Sequence, residues 1–121
     1  MALTFSFKTV GAGDGSLRMA VWDGLSEADT APPAVEYAEW GDRCVQVKGT
    51  FGGGAIVIEG SNDGVSYHTL TDPHDTPLSF SSAGLMQIVE LPMFIRPRAA
   101  SGTGVDVDVF LLMRRSNGMR T

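Results

Sequence analysis

Apolar and polar residues alternate along much of this chain with the two-residue period of a β-strand. The alternation is clearest in three segments, at residues 3–8, 44–48 and 105–112. Their apolar positions include Leu3, Phe5, Phe7, Val45, Val47, Val105, Val107, Val109 and Leu111. A fourth segment, Ala55–Glu59, is mostly β-branched and apolar. That composition predicts a central strand that is buried on both faces.

Residues that favour turns separate these segments about every ten residues. The segment Ser61–Gly64 reads Ser-Asn-Asp-Gly, which predicts a hairpin turn because Asn and Asp tolerate a positive φ and Gly favours it. Pro97 follows the apolar segment Met93–Arg96. Since proline lacks the N–H of a ladder hydrogen bond, it is predicted to end that strand or to place it at a sheet edge.

Helix signals are nearly absent from the sequence. The best candidate is residues 26–40, where Ser26 is a suitable N-cap, but Pro32 and Pro33 limit the helix to a single turn. Residues 35–40 alternate again with the period of a strand. Eight to ten short strands with turns between them predict an all-β fold, either an antiparallel β-sandwich or a small barrel.

The length of 121 residues corresponds to one domain. We predict that residues 1–10 form an extended N-terminal arm or the first strand, that residues 11–113 form the β-sandwich domain, and that residues 114–121 form a short basic C-terminal tail. The single cysteine excludes an internal disulfide framework. No segment has the roughly 18 to 20 apolar residues of a membrane span, so we expect no membrane partner.

Negative charge predominates, with 14 Asp and Glu residues against 9 Lys and Arg residues. The excess lies in residues 1–42. Because an acidic chain repels phosphate backbones, we expect no nucleic-acid partner. The C-terminal end differs, since Arg114, Arg115 and Arg120 follow the last acidic residue. These arginines either dock on an acidic protein surface or only make the tail soluble.

Two groups of acidic residues are candidates for chemistry. Asp72, His74 and Asp75 are all metal-capable, but adjacent loop positions seldom converge on one ion without a second segment. We interpret them as a polar turn in which the Asp72 side chain bonds to nearby backbone. Asp106 and Asp108 share one face of a strand, as paired catalytic carboxylates can. We interpret them as the solvated side of that strand.

Other reactive residue types lack partners in the sequence. Cys44 needs a base to act as a nucleophile, and His68 has no acidic neighbour along the chain. The sequence contains no nucleophile elbow, phosphate-binding loop or zinc motif. We therefore expect a protein that is not an enzyme and that has no cofactor and no metal.

Two stretches resemble small head proteins of tailed bacteriophages. The first stretch is Glu59–Tyr67 followed by Thr69–Pro73, which resembles a hairpin and polar loop of those proteins, although Tyr67 stands where Trp is usual. The second is Ser82–Gly84 followed by Leu91–Pro97. The similarity covers about residues 55–113, including the last alternating strand.

The resemblance implies a head decoration protein, also called a cement protein, with a β-sandwich of jelly-roll type. Such proteins lie on the outer surface of the virion capsid and join neighbouring subunits. The implied partners are the major capsid protein and further copies of the chain itself, with a homotrimer favoured over a homodimer. The expected function is therefore to cross-link and stabilise the shell.

Three sets of residues are candidates for these contacts. The alternating start of the chain suits strand addition onto another chain, although an ordinary first strand of the same sandwich has the same pattern. The capsid-binding candidates are Leu3, Phe5, Phe7, Lys8, Arg114, Arg115 and Arg120. The candidates for an oligomer interface are Trp40, Phe110 and Leu112, because the last strand is apolar on both sides near its end.

A carbohydrate-binding β-sandwich is the alternative from another functional class, on a virion or in a tail or baseplate. It would use Tyr67, Trp40 or Asn62 to stack on sugars or to hydrogen-bond them. The Glu59–Gly64 sequence also resembles discoidin-type domains, which bind carbohydrate or lipid at loop tips. Those domains are longer and usually carry disulfides, which this chain with one cysteine cannot form internally.

Overall fold

The computed structural model describes residues 5–9, 17–36 and 40–115, with side chains for residues 18–36 and 42–114. These residues form strands and connecting turns without a helix, so the predicted all-β class is confirmed. The strands are β1 (Phe5–Thr9), β2 (Leu17–Leu25), β3 (Val35–Glu36), β4 (Trp40–Thr50), β5 (Ile56–Ser61), β6 (His68–Thr69), β7 (Ser79–Phe80), β8 (Gly84–Ile88), β9 (Phe94–Ala99) and β10 (Asp106–Arg115).

The strands pair into two antiparallel sheets that pack as a sandwich. Sheet 1 has the order β1-β2-β10-β4-β8, and sheet 2 has the order β3-β9-β5-β6, with β7 also paired to β5. The chain folds back on itself, because β2 pairs with β10, β3 with β9, β4 with β8, and β5 with β6 and β7. This long hairpin, rolled so that successive pairs alternate between the sheets, is the jelly-roll arrangement. The predicted jelly-roll-like β-sandwich is confirmed.

The alternating sequence of β10 determines which of its faces enters the core. On one face, the side chains are at most 1% exposed, namely Val107, Val109 and Leu111. Asp106, which alternates with them, is exposed to solvent. In sheet 2, all six residues of β5 are buried, as expected for the predicted central strand. The other buried core residues belong to both sheets and to the loops beside them. They include Ala20, Trp22, Leu25, Val35, Val45, Val47, Leu70, Leu78, Phe80, Ile88, Ile95 and Met113.

Pro97 corrects one expectation about strand ends. Strand β9 continues through this proline to Ala99 and lies between β3 and β5 in sheet 2. The proline is tolerated because β3 pairs only with Phe94 and Ile95. At Pro97 the strand pairs with Ile58 of β5 on one side only. The missing N–H therefore costs no ladder hydrogen bond.

The segment after β2 forms a single turn, as its prolines predict. The Asp29 backbone N–H donates to the carbonyl oxygen of Ser26 at 3.1 Å, and the Ser26 N–H donates to the Asp29 carboxylate at 3.0 Å. The carbonyl oxygen of Pro33 then accepts a hydrogen bond from the indole Nε1–H of Trp22 at 2.8 Å. Trp22 is 1% exposed and belongs to the core between the sheets.

Candidate protein-interaction surface

Exposed apolar side chains concentrate on one short segment of the chain. Leu85, Met86, Val89 and Leu91 are 63%, 37%, 50% and 62% exposed. Among the described side chains, Val65 in the hairpin loop is the one other large hydrophobic residue with comparable exposure. Scattered exposed hydrophobics are ordinary, but a contiguous group indicates a contact surface. We call the segment 83–91, which contains β8, the β8 edge.

Strand β8 itself, within the β8 edge, lacks the features that normally prevent strand pairing between molecules. An edge strand is usually very short or carries charge or proline. In the described strands, β3 and β6 have two residues each, and β1 contains Lys8. Strand β8 has five residues, Gly-Leu-Met-Gln-Ile, with neither a charge nor a proline. Its outer side, away from β4, therefore presents backbone groups with no device against intermolecular pairing.

The solvent-facing side of sheet 1 carries further apolar residues toward the middle of the sheet, separated from the β8 edge by residues of β4. Residues directly opposite one another on paired strands share a face. One such row across the sheet is Leu85, Gln46, Phe110, Val21 and Ser6, and the next is Gln87, Cys44, Leu112, Met19 and Lys8. The two rows thus bring the predicted interface residues of β10 into register with the β8 edge.

Phe110 and Leu112 are half-buried on this face. The Lys48 ammonium lies 5.4 Å from the centroid of the Phe110 ring, a distance suited to a cation–π contact. Val21 belongs to the same face and is 1% exposed, although it is not part of the core between the sheets. Phe110 and Leu112 therefore lie on the solvent-facing side of β10, each half-buried, and their role in an oligomer interface stays a prediction. The backbone of Trp40 pairs with Arg115, and its side chain lies outside the described residues.

The predicted arm and tail residues divide between the sheet and the part of the chain that the structure leaves undescribed. Strand β1 pairs with β2 of the same chain, so residues 5–9 occupy the first-strand alternative. Its register places Phe5 opposite Trp22 and Phe7 opposite Ala20. Arg114 and Arg115 belong to the end of β10, and the Arg114 side chain is exposed. Leu3 and Arg120 lie outside the described residues.

The chain matches no protein-family model, no curated protein and no solved structure. No helix long and apolar enough to cross a membrane occurs among the described residues. Those residues also contain no group of three or more His, Cys, Asp or Glu side chains placed to hold a metal ion.

The predicted metal-capable and nucleophilic residues have structural roles. Asp72 is 4% exposed, and its Oδ1 accepts hydrogen bonds from the backbone N–H groups of His74 and Thr76, which confirms the polar turn. Asp108 accepts a hydrogen bond from the Gly24 N–H at 3.0 Å, beside the register shift between β2 and β10.

Burial raises the pKa of the Cys44 thiol despite the opposing charge of Arg114. A raised pKa disfavours the nucleophilic thiolate.

The hairpin loop after β5 is held by one carboxylate. Asp63 Oδ1 accepts hydrogen bonds from the N–H groups of Val65 and Ser66 and from the Ser61 hydroxyl, at 2.8, 2.9 and 2.7 Å. The bonds from Ser66, Val65 and Ser61, in that order, lower the pKa of Asp63 to about 2 from an ordinary value of 3.8. This geometry confirms that the Ser61–Gly64 sequence forms the predicted turn.

Replacing Asp63 by asparagine tests this role through its dependence on pH. The folded-state pKa of Asp63 lies below its ordinary value, so the ionised carboxylate stabilises the fold above about pH 4 and loses this effect as the pH falls toward 2. We expect parent and Asp63→Asn proteins to differ most in unfolding free energy near pH 7 and to converge near pH 2. Urea unfolding at several pH values measures this, with Asp75→Asn as a control for removal of an exposed aspartate. A pH-independent difference would contradict the assignment.

A shallow cleft of about 500 Å³ lies beside this loop and extends to the β8 edge. Asn62, His68, Glu90 and Leu91 are among its lining residues. Both carboxylate oxygens of Glu90 accept hydrogen bonds from Thr71, one from the backbone N–H at 2.8 Å and one from the hydroxyl. Desolvation raises the pKa of Glu90, but the bonds from Thr71 outweigh this effect and leave it lowered. Glu90 therefore fixes the chain after β8.

The outer face of sheet 2 carries a compact charged cluster. Glu59 is 4% exposed, and its carboxylate accepts hydrogen bonds from Arg96 at 2.8 Å and from Arg98 at 3.2 Å. The Arg96 guanidinium stacks on the Tyr67 ring, 3.8 Å from its centroid. Arg96 therefore contacts the aromatic ring that the carbohydrate-binding alternative would use for stacking.

The sequence alone did not identify the β8 edge as a candidate interaction surface. Residues 76–89 form the longest stretch of the chain without Asp, Glu, Lys or Arg. The lack of charge in this stretch indicates a candidate contact surface only if the segment is known to lie at the edge of a sheet. Strand order depends on the whole topology, so the sequence alone could not distinguish an exposed edge from another buried strand.

Proposed function

We propose that this protein is a structural binding module that decorates the outer surface of a tailed-bacteriophage head and cross-links major capsid subunits. The observation that carries the proposal is that the exposed apolar residues of the β8 edge lie on the same face of sheet 1 as Phe110 and Leu112, with Gln46 and Cys44 of β4 between them. A jelly-roll with such a face is suited to docking on a protein surface. The capsid is proposed as the partner because residues 55–113 resemble head decoration proteins of tailed bacteriophages.

Cross-linking would stabilise the shell through mass action and avidity. A module that binds only assembled capsid favours the assembled state by linkage. When one molecule contacts two neighbouring subunits, the second contact is effectively intramolecular, so weak contacts combine into strong attachment. Subunits can then separate under the pressure of packaged DNA only if these contacts break. This mechanism requires a rigid body with exposed contact surfaces, and it requires no catalytic group.

The contacts we assign to the capsid combine an apolar face with positive charge at its borders. Lys8 and Leu112 belong to the same cross-sheet row. Arg114 lies two residues further along β10 and is exposed. Basic groups bordering an apolar centre suit an acidic protein surface. Arg115, Arg120 and the arm residue Leu3 extend the proposed contact beyond the described side chains.

Binding to purified heads of the phage that encodes the chain tests the proposal. We expect the protein to co-sediment with assembled heads and not with free capsid subunits, and to bind less well as salt is raised. The Arg114→Gln variant should bind about two- to five-fold more weakly, which is typical of a bordering charge. Thr103→Glu changes the net charge equally at the opposite end of β10 and should bind like the parent.

Two results would contradict the capsid assignment. The first is a folded protein that does not sediment with heads at low salt. The second is its absence from purified virus particles. Deleting residues 2–8 separately tests the arm: normal binding by the folded deletion variant would remove Leu3, Phe5, Phe7 and Lys8 from the contact. Circular dichroism establishes folding first, because the deletion removes most of β1.

The cleft beside the hairpin loop supports carbohydrate binding as a second candidate function. Its Asn62 and Glu90 side chains are of the types that hydrogen-bond sugar hydroxyls, and Leu91 supplies an apolar surface. A glycan array distinguishes the two functions. Specific glycan binding that Asn62→Ala abolishes, without sedimentation on heads, would favour the carbohydrate-binding module. Sedimentation without glycan binding favours the capsid.

A further inference from the structure

The β8 edge is self-complementary when it is read against its own copy in the antiparallel direction. Its alternate residues on the exposed side are Ala83, Leu85, Gln87, Val89 and Leu91, and all five are exposed. If two copies meet with Gln87 opposite Gln87, Leu85 lies opposite Val89 and Ala83 lies opposite Leu91. Every apolar residue in this series then faces an apolar residue, and the two amides face each other.

The second set of alternate residues is compatible with the same register. Met86 lies opposite Ile88, so apolar residues meet on this side also. Glu90 lies opposite Gly84, which places no charge against a like charge. The protein carries a net charge of −5, which opposes self-association in general. The β8 edge contributes none of that charge before Glu90, so it is a surface where two copies approach without repulsion.

The backbone of the β8 edge is already ordered for such pairing. One side of β8 is bonded to β4 from Gly84 to Ile88. The Val89 N–H is engaged by the carbonyl oxygen of Thr71 at 3.0 Å, and the Glu90 carboxylate accepts two hydrogen bonds from the same residue. These contacts hold the end of the β8 edge in place, and backbone pairing between copies falls to Gly84–Ile88. A preformed edge loses little conformational entropy when a second strand is added.

We infer that β8 pairs antiparallel with β8 of a second copy around a twofold axis at Gln87, which joins two copies of sheet 1 into one continuous sheet. The contact is isologous, since the same segment contributes to both sides. It differs from the threefold arrangement that the resemblance favours, and it does not depend on capsid binding. A second copy is favoured because the edge carries no charge from Ala83 to Val89 in a chain whose net charge of −5 opposes contact between copies elsewhere, and because this one register pairs apolar with apolar residues on both sides of the strand.

Sedimentation equilibrium of the full chain tests the inference. We expect a dimer whose dissociation constant rises about tenfold or more in Leu85→Lys, because symmetry introduces the ammonium group twice into one interface. Val65→Lys adds the same group at a more exposed apolar residue in the hairpin loop and should leave the dimer unchanged. Circular dichroism confirms that each variant is folded.

Single-cysteine variants on a Cys44→Ser background test the register. Gln87→Cys should form a covalent dimer rapidly under mild oxidation, because directly opposite residues bring their Cβ atoms close to disulfide distance. Leu85→Cys and Val65→Cys should remain largely monomeric in reducing-agent-free gels. A monomeric or trimeric parent, a dimer insensitive to Leu85→Lys, or equal cross-linking by all three variants would each overturn the inference. None of these outcomes bears on sedimentation with heads.

Discussion

Replacing Trp22 by alanine is expected to lower the free energy of unfolding by about 3 to 5 kcal/mol. The side chain is 1% exposed in the core between the two sheets, and its Nε1–H donates to the Pro33 carbonyl oxygen at 2.8 Å. The substitution removes a large apolar group, leaves a cavity and deprives that carbonyl oxygen of its indole donor. Because small domains are stable by only about 5 to 15 kcal/mol, the variant should unfold at a much lower urea concentration.

Trp22→Phe is the matched control for this prediction. Phenylalanine keeps much of the buried volume but cannot donate the hydrogen bond, so we expect a smaller loss of about 1 to 2 kcal/mol. Urea unfolding followed by far-ultraviolet circular dichroism measures both variants. A Trp22→Ala protein within about 1 kcal/mol of the parent would show that the core does not depend on this residue as the packing implies.

Replacing Gly52 by alanine should lower the free energy of unfolding by about 2 to 5 kcal/mol. Gly52 has a φ of +61°, and a Cβ built on it would collide with the backbone carbonyl of Thr103. The same two residues are bonded, since the Thr103 N–H donates to the Gly52 carbonyl oxygen at 3.1 Å. The added methyl group would therefore push apart the turns that precede β5 and β10.

Gly53→Ala separates the steric effect from backbone strain. Gly53 has a similar φ of +74°, but nothing lies within 4 Å of a Cβ at that position. We expect a loss of about 1 to 2 kcal/mol, which is the cost of a left-handed conformation for a residue with a Cβ. If urea unfolding showed equal losses for the two variants, close packing of the two turns would have no energetic role.

Substitutions at the proposed interaction surface should change binding without changing the free energy of unfolding. The residues assigned to contacts with other molecules, such as Leu85 and Arg114, are exposed, whereas Trp22 and Gly52 lie at sites of close packing. Surface substitutions away from special features usually change stability by less than about 0.5 kcal/mol. Variants of Leu85 and Arg114 should therefore change association while leaving unfolding nearly unaffected, which makes their binding measurements interpretable.

The fold class and much of the core follow from the amino-acid sequence alone. The two-residue alternation of Val105 to Leu111 specifies one buried face, because side chains on a strand point alternately to opposite sides. The β-branched segment around Ile56–Ile58 specified a buried central strand, and the Ser61–Gly64 sequence specified a turn. These features depend only on local backbone geometry, so they can be derived without knowledge of the rest of the molecule.

Which strands lie at the edges of the sheets, and which residues share a surface, depends on the tertiary fold. Pro97 stays inside β9 because β3 ends before reaching it, and Leu85 is exposed because β8 is the last strand of sheet 1. Phe110 meets Val21 and Gln46 through pairings between segments that are distant along the chain. Local periodicity fixes the side of a strand on which a residue lies, whereas the neighbours of that strand follow from how the whole chain buries its apolar surface.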